Sequence, residues 1–375
     1  MTEMSKIFSP DWISPPGETI ADILEEREWT QADFAKRMGQ TQKHISLLLN
    51  GKVAITEDTA LKLESVLGST ATFWLSREAQ YRAGLARLDE MKILTKWIPW
   101  LEHFPIKDLM KLKFIETRRF ANKQKASIVK ELLQFFGVAS PEGWQARYGK
   151  MEVSFRRTRE EQSDIYAISS WIRQGEVIAE RLDGPSYDRA KFEKALKTIR
   201  TFTKLPAREF EPQLRKLCFD SGVALIFIPS IPRAHVSGVA RWLNSHKPLI
   251  QMSLYGKSND RFWFTFFHEA GHILMHDKKE VFLDEFDGDR LDSVEERQAD
   301  KWASEFLIPP TLTEELSSLT DRRAILNFAS KINIHPAIVV GRLQHDAIIP
   351  YTNYNDLKVK YQFTIESPES ACSSG

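Results

Sequence analysis

Cysteine is scarce in this chain: Cys218 and Cys372 are the only two in 375 residues. Cys218 sits just ahead of an apolar run that reads as a strand, and Cys372 lies in a serine-rich tail, so they offer no disulfide framework. Two thiols are also too few for a cysteine-based zinc site, which leaves histidine as the source of any metal centre. Long apolar runs are missing as well. No stretch approaches the ~20 residues of a membrane span, and the start of the chain lacks the charged, apolar and small-residue succession of a signal peptide. These absences argue against a secreted scaffold and a membrane protein, and the expected location is a reducing cytoplasm. What is present, 42% hydrophobic and 27% charged residues, suits a soluble chain long enough for two or three domains.

Against that background the pentapeptide His268-Glu269-Ala270-Gly271-His272 stands out. On a helix its histidines leave the same face one turn apart and can bind one zinc ion. Glu269 between them is placed to take a proton from water, the arrangement of a zinc peptidase. Chance gives such a pattern in roughly 1 to 2% of chains like this one, so context must decide. The run from Arg261 to Phe267 and the stretch from Gly271 to Met275 carry almost no charge outside the motif, which predicts a helix buried on nearly all sides. Polar groups in such a helix need a ligand or hydrogen-bond partners.

A catalytic zinc wants a third protein ligand. Residues 295 to 308 have apolar positions at 299, 302, 303, 306 and 307, an amphipathic helical pattern. Glu296 shares the side of Ala299 and Ala303 and is the candidate third ligand, with Glu295 its nearest competitor. Asp300, one turn on, is a candidate acceptor that orients a ligand histidine. Glu295 and Glu305 read as solvated. His276 would stand about 6 Å beyond His272 on a straight helix, too far to share one ion, so it reads as a structural or ligand-supporting residue. The acidic run from Asp284 to Asp292 lacks EF-hand spacing and reads as a solvated loop.

Together, His268-Glu-Ala-Gly-His272, Glu296-Arg-Gln-Ala-Asp-Lys-Trp-Ala303 and the closing Leu307-Ile308-Pro309 resemble the ImmA/IrrE family of metallo-endopeptidases, over about Cys218 to Pro309. The resemblance implies zinc at His268, His272 and Glu296, Glu269 as general base, and a DNA-binding repressor as protein substrate. Upstream, residues 222 to 228 read as a buried strand, with two more at about 236 to 242 and 249 to 253. Such strands commonly wall a peptidase cleft, where an extended substrate adds as another strand. His235, His246 and Tyr255, and later His335 and Arg342, could reach the cleft, but no spacing ties them to the metal and each reads first as an ordinary residue.

The first 83 residues read differently. Thr30 can cap a helix through Ala32, Phe34, Ala35 and Met38 that stops at Gly39, and Thr41 can cap a second from Gln42 to Asn50, with Ile45, Leu48 and Leu49 inward. Two short helices around a glycine turn form a helix-turn-helix, with further helices expected at about 17 to 28, 56 to 67 and 70 to 83. Residues 1 to 83 hold nine basic against twelve acidic residues, whereas 30 to 52 hold four against one. DNA binding needs a basic face, not a basic domain. Gln42 and Lys43 suit base edges, Gln31 and Lys52 suit phosphates, and Thr41 and Ser46 complete the candidate surface. A small helical protein-binding module is the other reading.

Pro16-Gly-Glu18, Thr30-Gln-Ala-Asp-Phe-Ala35, Asn50-Gly51-Lys52, Ala60-Leu-Lys-Leu-Glu64 and Phe73-Trp74-Leu75 resemble the HigA-type antitoxins of the XRE helix-turn-helix class. That resemblance implies an operator-binding homodimer and a toxin partner.

The expected fold is therefore multidomain α+β. It comprises an all-α helix-turn-helix bundle at 1–83, a mostly helical middle at 84–205, an α+β zincin-like metallopeptidase domain with a small sheet at 206–350, and a tail at 351–375. Within the middle, residues 107 to 130 carry eight basic against two acidic residues. They read as a solvated face, or else as an extension of the DNA footprint. Residues 311 to 346 are expected to add two helices. The functional expectation is a regulator that binds operator DNA and cuts a repressor or itself. The alternative is a non-cleaving repressor whose zinc domain senses metal, ligand or stress.

Overall fold

The computed structural model describes residues 13–116, 124–158, 164–253, 258–276 and 294–362, with the stretch 150–158 described in its backbone only. The acidic run at 284–292, Tyr255 and the tail beyond 362 lie outside them. The chain divides into two compact units, Met1–Ile98 and Pro99–Gly375.

In the first unit, α1 (Pro16–Glu26), α2 (Gln31–Met38), α3 (Gln42–Leu49), α4 (Glu57–Leu67) and α5 (Ala71–Lys96) pack as an all-helical bundle. Threonine opens four of them: Thr30, Thr41, Thr56 and Thr70 each accept the amide three residues on, a cap worth about 1 kcal/mol. Gly39 takes the left-handed turn between α2 and α3 at φ 63°. Ile20, Phe34, Ile45, Leu63 and Trp74 form the core. Leu49, expected inward, is only partly buried at its edge. The last helix runs well past the expected end at 83, because Leu85 to Lys96 are mostly strong helix formers and no proline intervenes before Pro99.

The second unit begins within α6 (Ile98–Leu101) and continues with α7 (Ile106–Lys111), α8 (Lys125–Phe136), α9 (Pro141–Thr158), α10 (Ile165–Glu180), α11 (Arg189–Thr201) and α12 (Ala207–Asp220). A small sheet follows from β1 (Ala224–Phe227), β2 (Gly238–Asn244) and β3 (Lys247–Met252), then α13 (Asn259–Met275), α14 (Val294–Leu307), α15 (Thr313–Ser317), α16 (Arg322–Lys331) and α17 (Pro336–His345). Strand order is β1-β3-β2, with β1 parallel and β2 antiparallel to β3. The period of two splits the sheet. Leu225, Ala240, Trp242, Ile250 and Met252 join the core that holds α13, while Arg241 and Gln251 reach α10 on the other face.

Helix α13 is buried along most of its length, through Phe262, Trp263, Phe266, Phe267, Ala270 and Ile273. Its core also takes Phe192, Leu196 and Ile199 of α11 and Tyr361 near the far end of the described chain. The core therefore reaches beyond the 206 and 350 limits read from the sequence. Periodicity marks those helices as amphipathic but cannot say which core they enter. Residues 358–361 strap the start of α13: Lys358 pairs with Asp260 at 2.7 Å, and the Val359 amide donates to Asn259 at 3.0 Å.

Candidate metal centre and helix-turn-helix face

Gly271 decides how closely α13 and α14 approach. A Cβ there would meet Trp302 at 3.1 Å and the Ala299 backbone at 3.5 Å. With glycine on one helix and buried Ala299 and Ala303 on the other, the backbones pack tightly enough to bring Glu296 over the two histidines.

The result is a cluster of three donors. His268 Nε2 lies 3.0 Å from His272 Nε2 and 3.1 Å from Glu296 Oε2, and His272 Nε2 lies 3.4 Å from Glu296 Oε1. Donors tetrahedrally arranged at zinc-type bond lengths of about 2.0–2.2 Å would stand about 3.3–3.6 Å apart. The set of two imidazoles and one carboxylate, converging at 3.0–3.4 Å and so within a few tenths of an ångström of that spacing, fits a zinc-type cation. Among the described residues this group contains Glu296 and not Glu295. Glu305 is exposed and faces Lys301.

Each histidine is also held from behind. His268 Nδ1 lies 2.8 Å from Asp300 Oδ1, which turns Nε2 towards the cluster. For His272 that partner is His276, Nδ1 to Nδ1 at 2.9 Å, with Gln298 behind His276 at 3.4 Å. The straight-helix expectation for His276 is corrected here. The helix ends at Met275, and His276 adopts extended backbone at φ −102° and ψ 153° that folds its ring back against His272. Burial alone would lower the His268 pKa, but Asp300 and Glu296 outweigh it and lift it to about 10. Burial likewise opposes the charge of Glu296, yet the two histidines hold it well below the usual carboxylate range. Burial lowers the His276 pKa, helped by His272.

Glu269 is buried beside this cluster, and burial raises its pKa against the neighbouring histidines. The backbone amide of Ala240 on β2 faces its carboxylate and slightly opposes that rise. A Cβ on Gly238 would fall 2.9 Å from Glu269 Oε1 and 2.6 Å from Thr265, so only glycine lets the strand pass here. The sequence reading missed this amide. Its signal was Gly238 inside a strand pattern, which marks close backbone approach. Among the described residues β2 is one of the sheet's two edge strands, so its outer side carries the backbone groups a further strand would use.

The remaining candidates stand elsewhere. His246 is exposed in the β2–β3 turn, its amide on Asn244. His235 is half-buried in the loop before β2 at φ 47°. His335 caps α17 and bonds Asn259 at the opposite end of α13, and Arg342 pairs with Asp346 at 2.6 Å. In the first unit Gln31, Thr41, Gln42, Lys43, Ser46 and Lys52 are all exposed. Gln42, Lys43 and Ser46 share one face at the start of α3, while the Thr41 hydroxyl caps that helix.

Comparison with known proteins agrees with this division. Residues 20–74 match the profile of the helix-turn-helix family, and residues 225–343 match that of the IrrE N-terminal-like domain. The chain thus carries a helix-turn-helix domain of XRE type and an IrrE-like peptidase-family domain. It is 38% identical over 61 residues to an uncharacterized HTH-type transcriptional regulator, YddM, of Escherichia coli (strain K12). That match takes in 16% of this chain and 65% of the relative's length. Among the described residues no helix is long and apolar enough to cross a membrane.

Proposed function

We propose that this protein is a DNA-binding transcriptional regulator whose second unit is a zinc-dependent endopeptidase that cuts a repressor, or its own chain, to switch transcription. The observation that carries the reading is the convergence of His268, His272 and Glu296 next to buried Glu269, in a chain that also bears an exposed helix-turn-helix face.

In this reading His268, His272 and Glu296 hold zinc, with Asp300 and His276 fixing the rings. The chemistry a zinc ion supplies in such a site is Lewis acidity, which makes water easier to deprotonate and a carbonyl easier to attack. Glu269 takes the proton from the attacking water on its carboxylate and passes it to the leaving amine of the cleaved peptide bond. A buried base with a raised pKa holds that proton more readily than a solvated glutamate does. The edge of β2 takes the substrate as an extended strand, its backbone groups pairing without regard to sequence. The head reads its operator as a homodimer, with Gln42 and Lys43 at base edges and Gln31, Thr41, Ser46 and Lys52 at the backbone. The resemblance to antitoxins makes a toxin the second candidate partner of the head.

The test is a mobility shift with operator DNA bound by the candidate repressor. Zinc-loaded wild-type protein is expected to abolish the shifted band, and Glu269→Gln to leave it. Loss of the band with both proteins contradicts the proposal, as does its survival with both when neither the repressor nor the chain itself is cut.

A further inference from the structure

β2 is an edge strand, so only one of its sides is held by the ladder to β3. Yet it carries both the Ala240 amide on Glu269 and the Gly238 contact, and its position sets where that carboxylate stands. Between these points and the other face of the sheet lies Arg241, 3% exposed. Its Nη2 donates to the Ile172 carbonyl of α10 at 2.7 Å and to Gln251 Oε1 at 3.3 Å. Its Nη1 stands 3.7 Å from Glu176 of the same helix, also buried at 3%. Gln251 in turn donates to the Trp171 carbonyl at 2.7 Å, a fit that Gly175 permits.

The same helix grips the loop that leads into β2. Arg233 pairs with Asp164 at 3.0 Å, its carbonyl accepts the Asp164 amide at 2.9 Å, and Trp171 Nε1 donates to the Ile228 carbonyl at 3.2 Å. Arg233 and His235 in that loop sit at φ 70° and 47°. Such backbone costs energy and persists only where surrounding contacts over-determine it. A buried charge pair is a poor way to add stability but a good way to fix one geometry. Here the pair ties the back of the sheet to α10, directly behind the strand that touches Glu269.

We propose that Arg241 is a positioning residue, held by the Ile172 carbonyl and Glu176 of α10, which fixes edge strand β2 so that the Ala240 amide stays on Glu269. This rests on the peptidase reading for its catalytic consequence but not for its structural one. Removing Arg241 leaves Glu176 with Arg173 at 2.8 Å and Arg147 at 3.6 Å, so no lone buried carboxylate results.

The experiment uses full-length protein loaded with zinc, as wild type, Arg241→Met and Arg241→Lys. Amide hydrogen exchange is read at Ala240 and along β3. Exchange at Ala240 is expected to quicken by roughly tenfold or more in Arg241→Met, and less in the lysine variant, with β3 amides unchanged. With a cleaved repressor as substrate, kcat should fall roughly tenfold while KM moves little, since a small misplacement of the base suffices for that loss. Lysine should restore part of it. Unaltered exchange at Ala240, or equal acceleration along the whole sheet, overturns the proposal. If wild type cuts no protein, the peptidase reading fails and the exchange data alone decide the clamp. If Arg241→Met does not fold, Arg241→Lys is judged by the same two criteria.

Discussion

His268 and Asp300 lie on different helices, yet their Nδ1 and Oδ1 atoms meet at 2.8 Å. The carboxylate accepts the hydrogen bond of the Nδ1–H at the back of the ring, and the front nitrogen is thereby committed to the space shared with His272 and Glu296. Asp300 is mostly exposed, so its loss should not harm the fold. Asp300→Ala is expected to weaken zinc binding by about 10–100-fold with little change in Tm, measured by competition with a chelator. Unchanged affinity would show that the ring needs no such partner.

The proton at His268 has a pH consequence. Its pKa stands near 10 without metal, so the metal-free site is protonated there at neutral pH, and binding zinc must expel that proton. Affinity should therefore rise with pH, by about tenfold per unit for one proton released, between pH 6 and 8. Titrations that give the same affinity across that range would contradict the assignment.

Gly271 sets the spacing that makes the cluster. Gly271→Leu would drive a side chain into Trp302 and the Ala299 backbone, at about 1–3 kcal/mol for an overpacked interface. Because α14 has to move away, zinc content should fall together with Tm. A stable variant that keeps full zinc occupancy would show that the helices do not need this approach.

The two histidines, Glu296 and Asp300 could be picked out of the sequence as candidates because helical period puts each pair on one face and the resemblance favoured Glu296 over Glu295. The Ala299/Ala303 stripe, which pointed Glu296 inward, is the side that packs on Gly271. Neither the end of α13 at Met275 nor the return of His276 was legible, since no glycine or proline marks that boundary. The Ala240 amide and the Arg241 bridge were invisible for a different reason. They depend on which strand lies at the edge and which helix covers its back, and that comes from contacts between segments distant in the sequence. That α11 packs into the core holding α13 was hidden in the same way: it looks like any amphipathic helix until the core that receives Phe192 is known.

On the head, Gln42 and Lys43 stand exposed at the first turn of a helix capped by Thr41. Gln42→Ala and Lys43→Ala should each cost about 1–3 kcal/mol of operator affinity, and a base-reading contact should cost less on unrelated DNA. Mobility shifts on both DNAs separate the cases. Equal binding by wild type and both variants would remove this face from the interface.

The central claim is that Glu269 cuts peptide bonds. Its most direct measurement is mass spectrometry of zinc-loaded protein incubated with candidate repressors, wild type against Glu269→Gln at matched zinc content. New fragments from the repressor or from the chain itself, present with wild type and absent with the variant, are the predicted result. Identical peptide maps for the two proteins would contradict it and leave a regulator that binds zinc without cleaving.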